Sequence, residues 1–430
     1  MPPQVSLRKF PYPYKCALAL SNDLEYLTPK AFWDIHRFLN TTETTAMGPG
    51  LGLQVTDSLF MYSADQKRSY SYFQGTSATP SAHAPWLREL MQLGCIDVLH
   101  SYGDFSWIGG FKRPMAERAL EELERHNIHL RVWTNHGSVE DTQNVGASQA
   151  YYQMGDLPGS PEYHTDLTMA YGFRFFWLDF NATNMVGQDR ATVRKDAWRE
   201  IVATKRWRPG GVREVFRQHK GNRLLKTETL RDGRKAYLFQ RYRGPKRPDP
   251  ASLPDQLSQA NMDTLKASQG YMVVYQHLGC DRRQDGGCNC NASPYFTPEV
   301  IAAFQRLADR YHAGEVFVTG VAKLLTYRMV TQGLRWKVAQ SQQAETVITI
   351  QEVDDPVIGR FVPTLEDLHG VTFYTASANR TKVVLTTPEG GQREVRVSKN
   401  SKDATGRESV TVPVQIWKLP ETPSARVLGN

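Results

Sequence analysis

The sequence predicts an α/β fold in which short apolar strands alternate with amphipathic helices. Four apolar runs are each followed at once by polar residues, and helical patterns separate the runs. These runs are 16–20, 96–99, 129–133 and 271–275. An α/β barrel presents its chemistry in this way, at the C-terminal ends of its strands. The repetition therefore predicts one site assembled from several strand ends.

The alternation extends from about residue 14 to residue 335. A strong helix is predicted over 114–127, with Pro114 in its first turn, and a strand over 129–133 follows directly. Strands are also predicted over 172–177 and 315–319, and a helix over 297–312. A series of this kind is typical of a mostly parallel barrel or sheet.

Two segments depart from the alternation. Residues 183–268 interrupt it, and within them 227–242 is predicted to form a hairpin that turns at Asp232-Gly233. We interpret this basic segment as an insertion over the mouth of the barrel. Beyond residue 341 the pattern changes to short alternating strands, predicted at 346–350, 371–374, 382–386, 393–397 and 409–412. The chain therefore divides into a barrel at 1–340 and a small antiparallel β domain at 341–430.

Composition and charge restrict the class of protein. The chain has 430 residues, 40% of them hydrophobic and 22% charged, as in ordinary globular proteins. Its formal net charge is +8, and basic residues are dense in 205–247. An acidic glycan or a phosphorylated lipid carrier suits this charge, whereas no nucleic-acid-binding motif is present. Nucleic acid is therefore not an expected partner.

No cleavable leader follows Met1, and no apolar run is long enough to span a membrane, so we expect a cytoplasmic protein. In a reducing compartment the five cysteines are expected to be free thiols. Cys280, Cys288 and Cys290 are clustered after the last apolar run. Free or redox-sensitive thiols and a structural zinc site remain alternatives for this cluster.

The polar strand ends contain candidate metal ligands and acid–base groups. Asp23 follows the first run, where it can bind a divalent metal or act as a base, and Glu25 lies on the same face of an extended chain. His100 and Asp104 have the i, i+4 spacing of two ligands to one ion, which an intermediate ion such as zinc accepts. His136 is a candidate ligand or acid–base group, and His277 suits a general acid.

The order of these motifs resembles that of the polysaccharide deacetylase (NodB-homology) family, whose fold is a distorted (β/α)7 barrel. The similar stretches are 20–23, 100–104, 133–136 and 274–277. The resemblance implies a divalent metal, expected to be zinc, on Asp23, His100 and Asp104. It also implies that His277 is the general acid. The family's base aspartate falls on Asn22, which cannot accept a proton.

We therefore expect Glu25, His136 and His277 to provide the catalytic acid–base groups of a metal-dependent hydrolase. Removal of an acetyl group from a bacterial surface glycan or its precursor is the expected reaction. The expected substrate-binding residues are Asn22, Trp133, Asn135, His164, Arg174, Trp177, Arg241, Arg243 and Tyr275. Two alternatives remain open. One is a glycoside hydrolase using Asp23 or Glu25 with Asp104, and the other is a glycan-binding pseudoenzyme.

Overall fold

The computed structural model describes residues 5–66, 69–178, 182–279, 295–420 and 423. Its α-helices are Pro29–Asn40, Ala84–Leu93, Arg113–Arg125, Thr165–Tyr171, Val193–Thr204, Pro209–Gly221, Leu253–Gln256, Gln259–Ser268, Pro298–His312 and Val321–Gly333. The longest of these has 15 residues. None of the helices in the described ranges combines the length and apolarity that crossing a bilayer requires.

A first sheet is parallel except at one edge. Its strands, in spatial order, are Leu225–Thr229, Lys235–Phe239, Phe175–Trp177, Val132–Thr134, Ile96–His100 and Asp57–Leu59. Only the first two pair antiparallel. They form the hairpin predicted from the sequence, and Gly233 in its turn has a φ of +84°, which glycine adopts without strain.

A second sheet is parallel throughout. Its strands, in spatial order, are Ala182–Thr183, Arg241–Tyr242, Tyr271–Gln276, Cys16–Asn22 and Val316–Val318. All seven residues of Cys16–Asn22 are buried, because this strand has neighbours on both sides and is covered on both faces. A strand in that position is apolar on both faces, which explains the continuous apolar run at 16–20.

The two sheets meet where the chain leaves Phe239 and begins the next strand at Arg241. Strand pairing among the described residues does not join Asp57–Leu59 to Val316–Val318 at the other side. The mixed α/β class is therefore confirmed, whereas a closed (β/α)7 barrel is not. In both sheets the parallel strands place their C-terminal ends at one edge, where the polar residues lie.

The helices form where the sequence predicts them because each has one apolar stripe. Arg113–Arg125 begins with Pro114 in its first turn and buries Met115, Ala119 and Leu123 at helical spacing. Pro298–His312 likewise buries Val300, Phe304 and Leu307. Packing of such stripes against the sheets produces the core that fixes the strand ends.

The segment 183–268 differs from the predicted insertion over the mouth. Lys235–Phe239 and Arg241–Tyr242 are internal strands of the two sheets, so this part of the chain is integral to the fold. Gln188 pairs with Tyr271, the first residue of its strand, and Ala191 N donates to Ser268 O. The chain around Gln188 therefore lies at the end of the sheet opposite the polar strand ends.

The C-terminal residues, together with the N-terminal strand Ser6–Leu7, form two further sheets; the alternating pattern predicted strands in the C-terminal part. One contains Leu334–Gln340, Thr346–Asp355, Gly359–Phe361, Thr381–Thr386 and Gln392–Val395. The other contains Ser6–Leu7, Thr372–Thr375, Ser398–Asn400 and Glu408–Thr411. One pair, Thr346–Asp355 with Thr381–Thr386, is parallel rather than antiparallel. The predicted boundary at residue 340 stays a prediction. The helix Val321–Gly333 leads into the first strand without a linker.

Two very short sheets complete the pairing. They are Thr44–Thr45 with Gly48–Pro49, and Tyr62–Ser63 with Gly103–Asp104. In the second sheet the two backbones approach so closely that a Cβ on Gly103 would lie 2.4 Å from Tyr62 O. Position 103 therefore requires glycine, and the pairing fixes the backbone at Asp104.

Candidate active site

Polar side chains from four strand ends converge at one edge of the two parallel sheets. Asp23 and Glu25 follow Cys16–Asn22, and His100 ends its own strand. His136 and His277 follow Val132–Thr134 and Tyr271–Gln276. Asp23, Glu25, His100 and His136 are all buried. The structure therefore brings the polar side chains of these four strand ends together.

Glu25 lies between three imidazoles. Its Oε1 accepts from His136 Nε2 at 2.9 Å, and its Oε2 is 3.8 Å from His100 Nδ1 and 3.8 Å from His277 Nε2. Burial alone would raise the pKa of Glu25, but the surrounding imidazoles hold it well below its usual range. Glu25 Oε2 and His100 Nδ1 are both buried, and neither has a hydrogen-bond partner among the described residues. Such atoms are costly unless a ligand satisfies them.

His136 is held from its other side by Asp141. The Nδ1 of His136 is 2.6 Å from Asp141 Oδ2, and burial, which would lower the pKa of His136, is outweighed by Asp141 and Glu25. Its pKa therefore lies well above the usual range. Asp141 also accepts from Phe105 N at 2.8 Å. A carboxylate that orients one imidazole nitrogen in this way is typical of metal-binding histidines.

Asp23 is engaged with Arg241 rather than with a histidine. Two parallel hydrogen bonds of 2.8 and 3.0 Å join the guanidinium to the two carboxylate oxygens. Arg241 is fully buried, and its guanidinium carbon lies 4.1 Å from the ring centre of Trp177 and 4.5 Å from that of Tyr275. Asp23 Oδ2 is 3.6 Å from His100 Nε2. The Asp23 carboxylate is therefore the counter-ion of a buried arginine.

His277 is the most exposed imidazole of the group, with 18% of its side chain accessible. Its Nδ1 lies 2.7 Å from Pro248 O. A carbonyl oxygen only accepts, so Nδ1 must carry the proton. In neutral His277 the Nε2 lone pair consequently faces the carboxylates of Asp23 and Glu25, at 3.9 and 3.8 Å.

Asn22 belongs to a separate buried network. Its Nδ2 donates to both oxygens of Asp57 at 2.8 Å, and its Oδ1 accepts from Leu278 N at 2.6 Å. His36 Nε2 lies 3.2 Å from Asp57 Oδ2. All polar atoms of the Asn22 side chain are thus used to fix the chain next to His277. This arrangement corrects its expected role in substrate binding.

Three groups of side chains bring ligand atoms within 4.8 Å of one another. The groups are Glu25, His100 and His136; Asp23, Glu25 and His277; and Asp104, His136 and Asp141. Among the described residues, no such group unites the predicted set of Asp23, His100 and Asp104. Asp104 Oδ1 lies 3.8 Å from His136 Nδ1, on the side away from Glu25. The structure therefore groups His100 with Glu25 and His136 instead of with Asp23 and Asp104.

Several predicted substrate-binding residues lie away from any surface that a ligand can reach. Trp133 is fully buried and donates to Asn135 Oδ1, which also accepts from Val145 N. His164 is buried between Thr168 and Gln143 O, and burial lowers its pKa to about 4. These three residues stabilise the core because their polar atoms are satisfied there.

The remaining predicted residues have different surroundings. Arg174 precedes its strand, at the end opposite the site, and donates to Met169 O. Trp177 and Tyr275 pack against the guanidinium of Arg241, and the ring centre of Tyr275 also lies 5.1 Å from that of His277. Arg243 is exposed just beyond the site edge. The cysteines at 280, 288 and 290 lie outside the described residues.

Sequence reasoning missed three residues that shape the site. Asp141 lies in a loop with no strand-end pattern, and Asp57 begins a strand of only three residues. Phe60 follows that strand and stacks on His100 with ring centres 4.7 Å apart. The short run 57–61 was the available signal, but its length is below that of a recognisable strand.

The chain is thus an α/β protein with a buried carboxylate–imidazole centre. No known family model matches the chain, and no curated protein matches it either. Among solved structures, the chain has a weak similarity to a covalent-intermediate form of a family GH29 α-L-fucosidase from Bacteroides thetaiotaomicron. The two are 10% identical over 93% of this chain and 92% of the fucosidase, with a TM-score of 0.22. A TM-score this low supports no inference about fold or function.

Proposed function

We propose that this protein is a metal-dependent hydrolase whose divalent ion is bound by Glu25, His100 and His136. The observation that carries the proposal is the pair of buried, unpartnered atoms that face each other, Glu25 Oε2 and His100 Nδ1. Two imidazoles and one carboxylate form a ligand set that catalytic zinc sites use. This set replaces the one expected from the sequence.

The charge of the centre also favours a cation. Asp23, Glu25, Asp104 and Asp141 contribute four carboxylates, whereas Arg241 contributes one permanent positive charge. A protonated His136 would still leave the formal charge of the centre negative. A divalent ion compensates for that excess, and it would replace the proton on His136 Nε2 while Asp141 keeps the ring in place.

When bound, a divalent ion supplies a Lewis acid that polarises an acyl carbonyl and lowers the pKa of water. The chain itself supplies the proton transfers. His277 would accept the proton of the attacking water at Nε2, because Pro248 O holds its other nitrogen as a donor. It would then return that proton to the leaving amine or alcohol. Arg241 holds the Asp23 carboxylate in place beside this centre through two hydrogen bonds.

Within this class we propose an acylated saccharide as the substrate, with acetate as the leaving acyl group. Its support is the order of the strand-end motifs, which resembles that of the polysaccharide deacetylases, together with the strand-end position of His277. A glycosidase would need a protonated carboxyl as its acid. Glu25 does not suit that role because its pKa is held low, and both oxygens of Asp23 accept hydrogen bonds from Arg241.

Elemental analysis of the purified, dialysed protein tests the metal proposal without reference to activity. We expect about one zinc or similar ion per chain in the wild type. Glu25→Gln and His100→Asn should each reduce that content at least about tenfold, since each removes a ligand. Asp23→Asn should retain the ion. His164→Asn is the matched control, because it removes a buried imidazole whose nitrogens bond Thr168 and Gln143 O rather than a proposed ligand.

Wild-type protein without bound metal after zinc loading would overturn the proposal, as would full metal content in the Glu25→Gln variant. Acetate release from N- and O-acetylated oligosaccharides tests the substrate class separately. His277→Gln should retain the metal but lose at least about a hundredfold in kcat, as removal of a general acid–base group does. Release of reducing sugar from aryl glycosides with no acetate release would favour a glycosidase.

A further inference from the structure

Residues 193–221 form a helical hairpin on the surface, called here the basic hairpin. Its helices are Val193–Thr204 and Pro209–Gly221. They are joined by a small apolar cluster of Ala197, Ile201 and Val215. His219 Nε2 lies 2.8 Å from Glu200 Oε2, which links the two helices. The hairpin is therefore a defined unit with a core of its own.

Most of the chain's excess positive charge lies in the basic hairpin. It contains nine Lys and Arg residues but three Asp and Glu residues, whereas the whole chain has a net charge of +8. All nine basic side chains are exposed. Arg199, Arg206 and Arg217 form ion pairs with acidic residues of the hairpin. The other six form no ion pair with the described residues, namely Arg194, Lys195, Lys205, Arg208, Arg213 and Lys220. This surface attracts an anionic partner.

Large apolar side chains lie on the same hairpin. Trp198 is 49% exposed, Val202 is 57% exposed and Trp207 is 55% exposed. Trp198 and Val202 are one helical turn apart, and the ring centres of the two tryptophans are 6.3 Å apart. They form a continuous apolar ridge within the basic surface. Exposed ridges of this kind mark interaction sites rather than ordinary surface.

The basic hairpin is remote from the candidate active site. It follows Asp189 and Ala191, whose backbone N–H groups donate to Asn222 O and Ser268 O. These residues lie beside Tyr271, at the N-terminal end of the strand that leads to His277 at its other end. A partner bound to the hairpin therefore does not occupy the site, and its identity is independent of the proposed reaction.

We propose that the basic hairpin docks the protein onto an anionic lipid bilayer surface. Its Trp, Val, Lys and Arg residues match an interfacial helical segment, in which apolar side chains enter the headgroup region and basic ones contact anionic headgroups. Val202 in the ridge favours lipid over a polyanion. An aliphatic side chain gains from entry among acyl chains, whereas a nucleic acid or acidic glycan would use only the rings and charges.

Cosedimentation of the full-length protein with large unilamellar vesicles tests the proposal. We expect binding to vesicles of phosphatidylcholine with about one-third phosphatidylglycerol, and at least about tenfold weaker binding to phosphatidylcholine alone. The triple variant Arg194→Glu, Lys205→Glu and Arg213→Glu should weaken binding by about a hundredfold. Trp198→Ala with Trp207→Ala should weaken binding about tenfold. The same variant should also lose the shift in tryptophan emission that we expect when the wild type binds vesicles.

Matched controls separate the hairpin from general charge and exposure. Lys337→Glu with Lys402→Glu reverses two exposed charges in the C-terminal part of the chain, and Trp107→Ala removes a 75% exposed tryptophan elsewhere. Both should bind vesicles as the wild type does. Equal binding to neutral and anionic vesicles, or loss of binding in both controls, would overturn the proposal. Binding of a DNA duplex or an acidic polysaccharide without vesicle binding would overturn it in favour of that polymer.

Discussion

Replacement of Arg241 by methionine should strongly destabilise the protein. The guanidinium is fully buried, donates two hydrogen bonds to Asp23, and packs against the rings of Trp177 and Tyr275, which also contact each other. Methionine fills most of the same volume but leaves the Asp23 carboxylate buried without its cation. The loss of packing volume is small, so the measured effect should report mainly on charge and hydrogen bonding.

The expected magnitude follows from the burial of the pair. Breaking a buried ion pair by removal of one partner costs about 3–5 kcal/mol. Each ring contact of a desolvated guanidinium contributes about 1–2 kcal/mol more, part of which methionine keeps. We therefore expect the free energy of unfolding to fall by about 5 kcal/mol. The double variant Asp23→Asn with Arg241→Met should recover about 2 kcal/mol of that loss, because no uncompensated charge remains.

Urea denaturation of the wild type, the two single variants and the double variant provides the four free energies of the cycle. Arg241→Lys is the matched control, since it keeps the charge but loses the planar pair of hydrogen bonds. A loss below about 1 kcal/mol in Arg241→Met, or no coupling with Asp23, would refute the assignment of Asp23 as a buried counter-ion. Metal content measured on the same Asp23→Asn sample should equal that of the wild type.

Two further predictions concern buried titratable groups. His164 has a pKa of about 4 because burial disfavours its charged form, so the unfolded chain binds its proton first as the pH falls. Its contribution to stability should be present above about pH 6.5 and fall by about 3 kcal/mol towards pH 4, and this slope should be absent in His164→Asn; an unchanged slope would contradict the assignment. Burial also raises the pKa of Cys16 to about 12 and that of Cys95 still further. Iodoacetamide should leave both thiols unmodified in the native protein, as peptide mass mapping can show, and modification before unfolding would contradict their burial.

The strand-end residues could be identified from sequence because each follows a buried strand of a parallel sheet. Cys16–Asn22 and Tyr271–Gln276 are apolar over most of their length for the reason that neighbours cover them on both sides. The sequence alone therefore predicts that Asp23, His100, His136 and His277 lie together at the strand ends. The helix at Arg113–Arg125 and the turn at Gly233 were equally accessible, since their signals are local.

The partners of those residues could not be predicted in the same way. Asp141 reaches His136 from an irregular loop, and Arg241 reaches Asp23 across 218 positions of sequence. Arg241 was expected to bind substrate from the basic segment over the mouth of the barrel, because its neighbours in the chain are basic. Burial depends on what packs around a residue, and Trp177 and Tyr275 come from two other strands.

The sequence by itself determined the α/β class, the polar strand ends and the positive charge of the segment after residue 183, because period and composition depend only on neighbouring residues. The tertiary structure decided which carboxylate faces the imidazoles. Asp23 and Glu25 are two positions apart and chemically alike, but a buried guanidinium binds the first, while the second lies among three histidines. The electrostatic environment of a buried charge arises from groups that are distant in the chain, so the roles of these two carboxylates are a property of the fold.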